Sequence, residues 1–270
     1  MSTPYAVQQS PAVLEKREAG IVTLVLNRPE RMNALNKDLA VALNEALDRV
    51  ASDNDAKVVV LTGAGRCFSA GGDLTAIGKG RQENNLAELE PILRSGMQMV
   101  LKIRTMPQPV IAAVHGPAAG AGMNIALAAD MRIASEDATF GQNFAKVGLF
   151  PDYGGMFFLP ELVGPARAAE MFYTGDMIDA QTALRLGIVN RVVPLDKLEA
   201  EVRALAQKIA QGPAIAIRAV KQTLFGSGKE RLEKVLEQEV QQQMKCFQSE
   251  DCAEGIRAFF EKRKPQFQGK

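Results

Sequence analysis

Residues 109–130 read "PVIAAVHGPAAGAGMNIALAAD". The stretch is apolar and long enough to raise the question of a membrane span. It is mostly Ala and Gly, and His115, Pro117 and Asn124 interrupt it, whereas a span needs about 20 strongly apolar residues. The physical alternative is a buried strand, "PVIAAVHG", that turns through glycines into a helix of small residues, followed by a further strand, "MRIASED" (131–137). Strand, glycine corner, helix and strand form the repeating unit of an α/β fold.

The same alternation runs outward in both directions. "IVTLVLNRP" (21–29) is a β-branched run closed by a turn. "NKDLAVALNEALDRVASD" (36–53) places Leu39, Leu43, Leu47 and Val50 at helical spacing, with Asn36 as N-cap. "AKVVVLTG" (56–63) is a buried strand, and "GAGRCFSAGGD" (63–73) a glycine-rich loop. Residues 79–90 are polar, and 91–104 are expected to be helical through Leu93, Met97, Val100 and Leu101. No strand is expected after Pro194. Segments 195–211, 213–226, 229–248 and 250–263 read as helices, with a break at Gly212-Pro213. The third carries Leu232, Val235, Leu236 and Val240 on one face. The expected organisation is an α/β core over 1–195 and a helical region over 196–270, whose apolar faces need covering by the core or another subunit.

Composition narrows the partners. The chain has 270 residues, a net charge of +1 and three cysteines. Near neutrality argues against nucleic acid or an anionic membrane surface as partner. Cys67, Cys246 and Cys252 are too scattered for a disulfide framework or zinc site, which fits a cytoplasmic protein. Residues 1–20 lack the charged-then-apolar pattern of a signal peptide. The basic cluster Arg257, Lys262, Arg263, Lys264 and Lys270 is a solvated helix face or a contact for an anionic group.

Two loops can carry chemistry. "GAGRCFSAGGD" lacks the Gly-Lys-Ser/Thr ending of a phosphate loop, and Phe68 breaks the dinucleotide G-x-G-x-x-G pattern. What remains is a run of small residues, Ser69 to Gly72, that lets a ligand approach backbone N–H groups. "GPAAGAGMN" is a second corner of the same kind. At a helix start the first N–H groups are unpaired and the helix dipole favours negative charge. Two such corners supply one N–H each to a developing oxyanion. His115 is the sole histidine, and its plain reading is a satisfied structural residue. G-x-S-x-G is absent and no His/Cys cluster has metal-ligand spacing, which leaves no case for a hydrolase triad or a metal. In "VGLFPDYGG" (147–155), Asp152 is either an N-cap worth about 1 kcal/mol or a general acid/base raised in pKa by Leu149, Phe150 and Tyr153.

"LNRPERMNAL", "FSAGGDL", "AAVHGPAAGAGMNIALAAD", "FGQNFAKVGLFPDYGGMFFLPELVG" and "RAFFEKRKPQF" together resemble the enoyl-CoA hydratase/isomerase (crotonase) superfamily over residues 13–267. The resemblance implies an α/β crotonase-like ββα spiral core with a C-terminal helical trimerisation region, trimers often paired into hexamers, and an acyl-CoA thioester substrate. It implies no cofactor, coenzyme A being part of the substrate. The family's oxyanion N–H groups carry over to Ala70 and Ala121. Substrate contacts carry over to Ser69, Gly71, Gly72, Asp73, Leu74 and Gly122, and to Phe259 and Lys262 near the C-terminus. The segment 76–100 is expected to border the acyl pocket. Hydratases of the family use two glutamates, and those positions hold Asn124 and Phe144 here, both expected beside the substrate. Isomerases place an acid at the position of Asp152. The resemblance is nearest the isomerase of bacterial phenylacetate breakdown. The expected activity is therefore a double-bond shift in an enoyl-CoA, extending to ring expansion of an epoxidised phenylacetyl-CoA. Hydration of 2-enoyl-CoA and non-catalytic acyl-CoA binding are the alternatives.

Overall fold

The computed structural model describes residues 10–83 and 85–270; the start of the N-terminal stretch read above, residues 1–9, lies outside them. The strands are β1 (Val13–Glu18), β2 (Ile21–Leu26), β3 (Val58–Gly63), β4 (Val110–Val114), β5 (Ala118–Ala119), β6 (Met131–Ser135), β7 (Thr139–Gly141), β8 (Met177–Asp179) and β9 (Arg191–Val193). The helices are α1 (Lys37–Ala51), α2 (Leu74–Gln82), α3 (Leu89–Thr105), α4 (Ala121–Ala128), α5 (Gly155–Val163), α6 (Pro165–Thr174), α7 (Ala180–Arg185), α8 (Leu195–Ala210), α9 (Ala214–Gly226), α10 (Lys229–Gln248) and α11 (Glu250–Phe260).

One six-stranded sheet runs β1-β2-β3-β4-β6-β9. Only the β1–β2 hairpin is antiparallel; the other pairs are parallel. A parallel sheet must be covered on both faces, and the period of two along β3 does this. Val59 and Leu61 enter the main core with Leu39, Leu43 and Leu47 of α1 and Met99, Val100 and Ile103 of α3. Val58 and Val60 point the other way, to Leu198, Val202 and Ala206 of α8. Each fully buried Leu or Val of this kind contributes about 1.5–3 kcal/mol. Asn36 caps α1 as expected, its side chain accepting from the Leu39 N–H at 3.0 Å.

Two parts differ from expectation. Residues 79–82 belong to α2, and Leu86–Glu88 form a 3-10 turn. Only Ile77 of α2 is buried, and Gly78 and Gly80 lower helix propensity, so no periodicity marks it. Asp73 starts it by accepting from the Thr75 N–H at 3.1 Å. A second sheet, β5-β7-β8, is made of two- and three-residue strands too short for a pattern. The C-terminal helices fall where the sequence placed them. Leu232 and Leu236 of α10 enter the main core, and α11 lies on the turn Asn143–Val147, where Gly255 has no room for a Cβ against the Val147 backbone.

Candidate active site

The two glycine corners are zipped together. Ser69 donates its N–H to Pro117 O at 3.2 Å and accepts from the Ala119 N–H at 3.0 Å. Contact this close needs glycine on both sides. A Cβ on Gly122 would overlap the Ser69 carbonyl, and one on Gly71 would stand 2.7 Å from Ala119 O. The same Gly71 Cβ would lie 3.4 Å from Ala121 N, which sets the two corners against each other. Ala121 opens α4, and its N–H has no acceptor among the described residues.

Ala70 is placed beside it but is not equally open. Its N–H donates to Met32 O at 2.9 Å. A thioester oxygen at this position must share that hydrogen with Met32. The loop that delivers Met32 is firmly held although Met32 and Asn33 have φ of 51° and 52°. Asn33 is buried, donates to Ala64 O and Cys67 O at 2.9 and 2.7 Å, and accepts from the Arg28 N–H at 2.9 Å. Such over-determination sustains left-handed non-glycine residues.

Four of the expected substrate contacts are spent on structure. Ser69 is fully buried and donates its hydroxyl to Asn33 O at 2.9 Å. Asp73 caps α2 and pairs with Arg28 at 3.2 Å. Gly71 and Gly122 supply close approach rather than contact area. Gly72 is exposed and Leu74 half-buried at the loop's end, where Leu35 pairs with Gly72. Phe144 is buried, with its ring 3.5 Å from where a Gly120 Cβ would stand, so it walls the Ala121 corner.

Asn124 corrects its expected role. It is fully buried and its amide is consumed: Nδ2 donates to the Asp152 backbone O at 2.6 Å, and Oδ1 accepts from Gln142 Nε2 at 2.6 Å. It ties α4 to the Asp152 loop instead of meeting substrate. Asn124 stands three residues after Ala121, so about one helical turn separates the open N–H from the anchor of Asp152. Phe259 at the end of α11 and Lys262 just beyond it are exposed, and Phe259 packs edge-on against Phe260. His115 is bound to Gly65 O at 2.9 Å through Nε2, and burial lowers its pKa; it takes the structural reading.

Asp152 is 7% exposed. Its Oδ2 accepts from Gln243 Nε2 at 2.9 Å, and its Oδ1 is buried with no partner. It does not cap α5. Glu239 of α10 performs that duty, accepting from the Gly154 N–H at 2.7 Å and the Met156 N–H at 3.0 Å. No cation pairs with Asp152 among the described residues. Burial pushes its carboxyl up to about 7, against the pull of the Gln243 bond. A carboxyl that changes charge near neutrality, with one oxygen free, has the properties of a proton carrier. The sequence missed Glu239 and Gln243. The available signal was the inward stripe of α10, where Leu232, Leu236 and Val240 continue into Gln243 and Phe247, all buried.

A family profile described as Enoyl-CoA hydratase/isomerase matches residues 16–270. The chain belongs to this family. It is 42% identical over 252 residues to a probable enoyl-CoA hydratase of Rhodobacter capsulatus, covering 93% of this chain and 95% of that protein. It is 37% identical over 265 residues to a 1,2-epoxyphenylacetyl-CoA isomerase of Escherichia coli, covering 96% and 98%. Among solved structures, an enoyl-CoA hydratase from Mycobacterium avium subsp. paratuberculosis superposes with a TM-score of 0.86 at 33% identity, over 95% of this chain and 98% of that one. The fold is thus the α/β crotonase fold with C-terminal helices. Family membership makes the chain an acyl-CoA enzyme of the hydratase/isomerase type. No described helix is long and apolar enough to cross a membrane.

Proposed function

We propose that the protein is a cytoplasmic acyl-CoA thioester isomerase that moves a double bond from the 3- to the 2-position. Asp152 removes a proton from C2 of a 3-enoyl-CoA. The electron pair moves into the thioester, whose enolate oxygen is held by the N–H groups of Ala121 and Ala70. Asp152 then returns the proton at C4. One observation carries this reading: Asp152 is a buried carboxyl with a free oxygen and a pKa near neutrality, while the two hydratase glutamate positions hold Asn124 and Phe144, neither of which can move a proton. Epoxidised phenylacetyl-CoA is the second substrate in this reading, supported by the likeness to the Escherichia coli isomerase.

The test is a 3-enoyl-CoA assay with C2-deuterated substrate. Asp152→Asn is expected to lose about 10²–10⁴ of the isomerisation rate and to stop washout of the label; an undiminished rate refutes the role. Hydration is the second reading, favoured by the names of several relatives. Water addition to a 2-enoyl-CoA faster than isomerisation supports it, and binding of CoA thioesters without any turnover supports a silent binding protein. We further propose that residues 196–270 form the oligomerisation region of a homotrimer or hexamer. In support, α9 exposes Ile215, Val220 and Leu224. In that assembly Phe259 and Lys262 contact coenzyme A.

A further inference from the structure

Resting on the reading of Asp152 as the proton carrier, we propose that Glu239 and Gln243 are positioning residues: one edge of α10 clamps the loop 150–156 so that Asp152 is gripped by one oxygen and free at the other. The two side chains stand one turn apart on α10 and are both 1% exposed. Gln243 uses its whole amide on the loop. Its Oε1 accepts from the Phe150 N–H at 2.9 Å, and its Nε2 donates to Phe150 O at 2.8 Å and to Asp152 Oδ2 at 2.9 Å. Glu239 takes up the other flank through the Gly154 and Met156 N–H groups.

The loop needs such a clamp. Tyr153, next to Asp152, has a φ of 54°, a conformation that a bulky residue holds only when its surroundings dictate it. Its buried ring lies against Gly96 of α3, where any Cβ would collide with it. With the ring fixed on one side, the Glu239 bonds on the other, and Asn124 holding Asp152 O, the carboxyl cannot drift.

The clamp also bears on charge. The groups facing Asp152 are Gln243 and Glu239 from α10, Asn124 from α4, and Tyr153 within the loop. Only Glu239 and Tyr153 can titrate, and burial raises the Tyr153 phenol still further above neutrality. Burial lifts Glu239 to about 8; the Asp152 charge adds to that lift and the two N–H bonds oppose it. Two buried carboxyls without a cation disfavour each other's ionisation, so they titrate as a pair.

Substitutions at both positions test the clamp in the full-length protein, with kcat, KM and the pH profile of kcat/KM on a 3-enoyl-CoA as readouts. Gln243→Leu removes the one donor to the Asp152 carboxylate. Its acid limb is expected to move up by about one pH unit, with kcat down about tenfold and KM within about threefold. Glu239→Gln removes the neighbouring carboxyl. Because Glu239 keeps its proton while Asp152 ionises, the variant's acid limb is expected to stay within about 0.3 unit of wild type, and the variant should recover part of the kcat lost in Glu239→Ala. A merely structural role would not raise the Gln243→Leu limb while leaving the Glu239→Gln limb in place. A Gln243→Leu limb that stays put, or two limbs that move together, while Asp152→Asn is inactive, overturns the clamp and leaves the role of Asp152 standing. An Asp152→Asn variant that still isomerises overturns the reading beneath it. Should Gln243→Leu not fold, the Glu239 pair still decides: a Glu239→Gln variant with no more kcat than Glu239→Ala overturns the clamp.

Discussion

Replacing Asp152 by Asn should cost activity and make stability less sensitive to pH, so that the variant gains on the wild type as pH rises. Burial lifts this carboxyl from 3.8 to about 7. Between those values the unfolded chain has lost the proton while the folded chain keeps it, so the wild type loses stability as pH rises and levels off above about 7. At about 1.4 kcal/mol per pH unit, the shift sets a ceiling of about 4 kcal/mol. Loop relaxation and water entry reduce this, and about 2 kcal/mol is expected at pH 8. The amide introduced by Asp152→Asn keeps an acceptor for Gln243, and its N–H₂ replaces an oxygen that had no partner. That unsatisfied donor costs about 1–3 kcal/mol at every pH. The diagnostic quantity is therefore the slope. Urea denaturation of both proteins at pH 5, 6, 7 and 8, at one fixed protein concentration because oligomers depend on it, should show the variant gaining on the wild type with each step. A difference independent of pH, or a variant that loses ground as pH rises, would refute the burial argument.

Three further outcomes follow from contacts elsewhere. Gly122→Ala drives a Cβ into Ser69 and parts the two corners; about 1–3 kcal/mol of stability and at least tenfold in kcat should be lost, read by denaturation and by the isomerase assay. Asn124→Asp turns the donor to Asp152 O into an acceptor; leaving that carbonyl facing a buried charge should cost upwards of about 2 kcal/mol, seen as a lower denaturation midpoint. Lys221, 5% exposed, donates to Ile103 O and Gln108 O at 3.0 and 2.8 Å and pairs with Asp130 at 2.9 Å. Lys221→Met strands that carboxylate and should cost about 3–5 kcal/mol with KM unchanged in the folded fraction.

The strands and long helices were legible because their evidence is local. Leu39 to Val50 carry the helical period, Asn36 sits at the cap position, and Val58 to Leu61 are a buried run. The four C-terminal helices were legible for the same reason. The short strands around β7 and the glycine-bearing α2 carry no period and were invisible. The positions of Asp152 and of the two corners could be named from motifs, but their surroundings could not. Whether Asp152 caps α5 was decided by Glu239, which lies 85 residues beyond the Gly154 it bonds. Its proton affinity was decided by burial and by Gln243, 91 residues on. Asn124 likewise looked like a side chain facing substrate, until Gln142 and the Asp152 carbonyl were found on either side of it.

If Ala70 is an oxyanion donor, as proposed, the Met32 carbonyl on its N–H has a consequence for selectivity along the reaction path. A resident acceptor makes that donor contested ground. The oxygen of a neutral thioester competes with Met32 on roughly equal terms and gains little by arriving. An enolate oxygen, with its fuller charge, forms the stronger bond and wins the hydrogen outright. Part of the hole's grip is thereby withheld from the substrate and released to the intermediate, which is the differential that lowers a barrier without tightening the ground state.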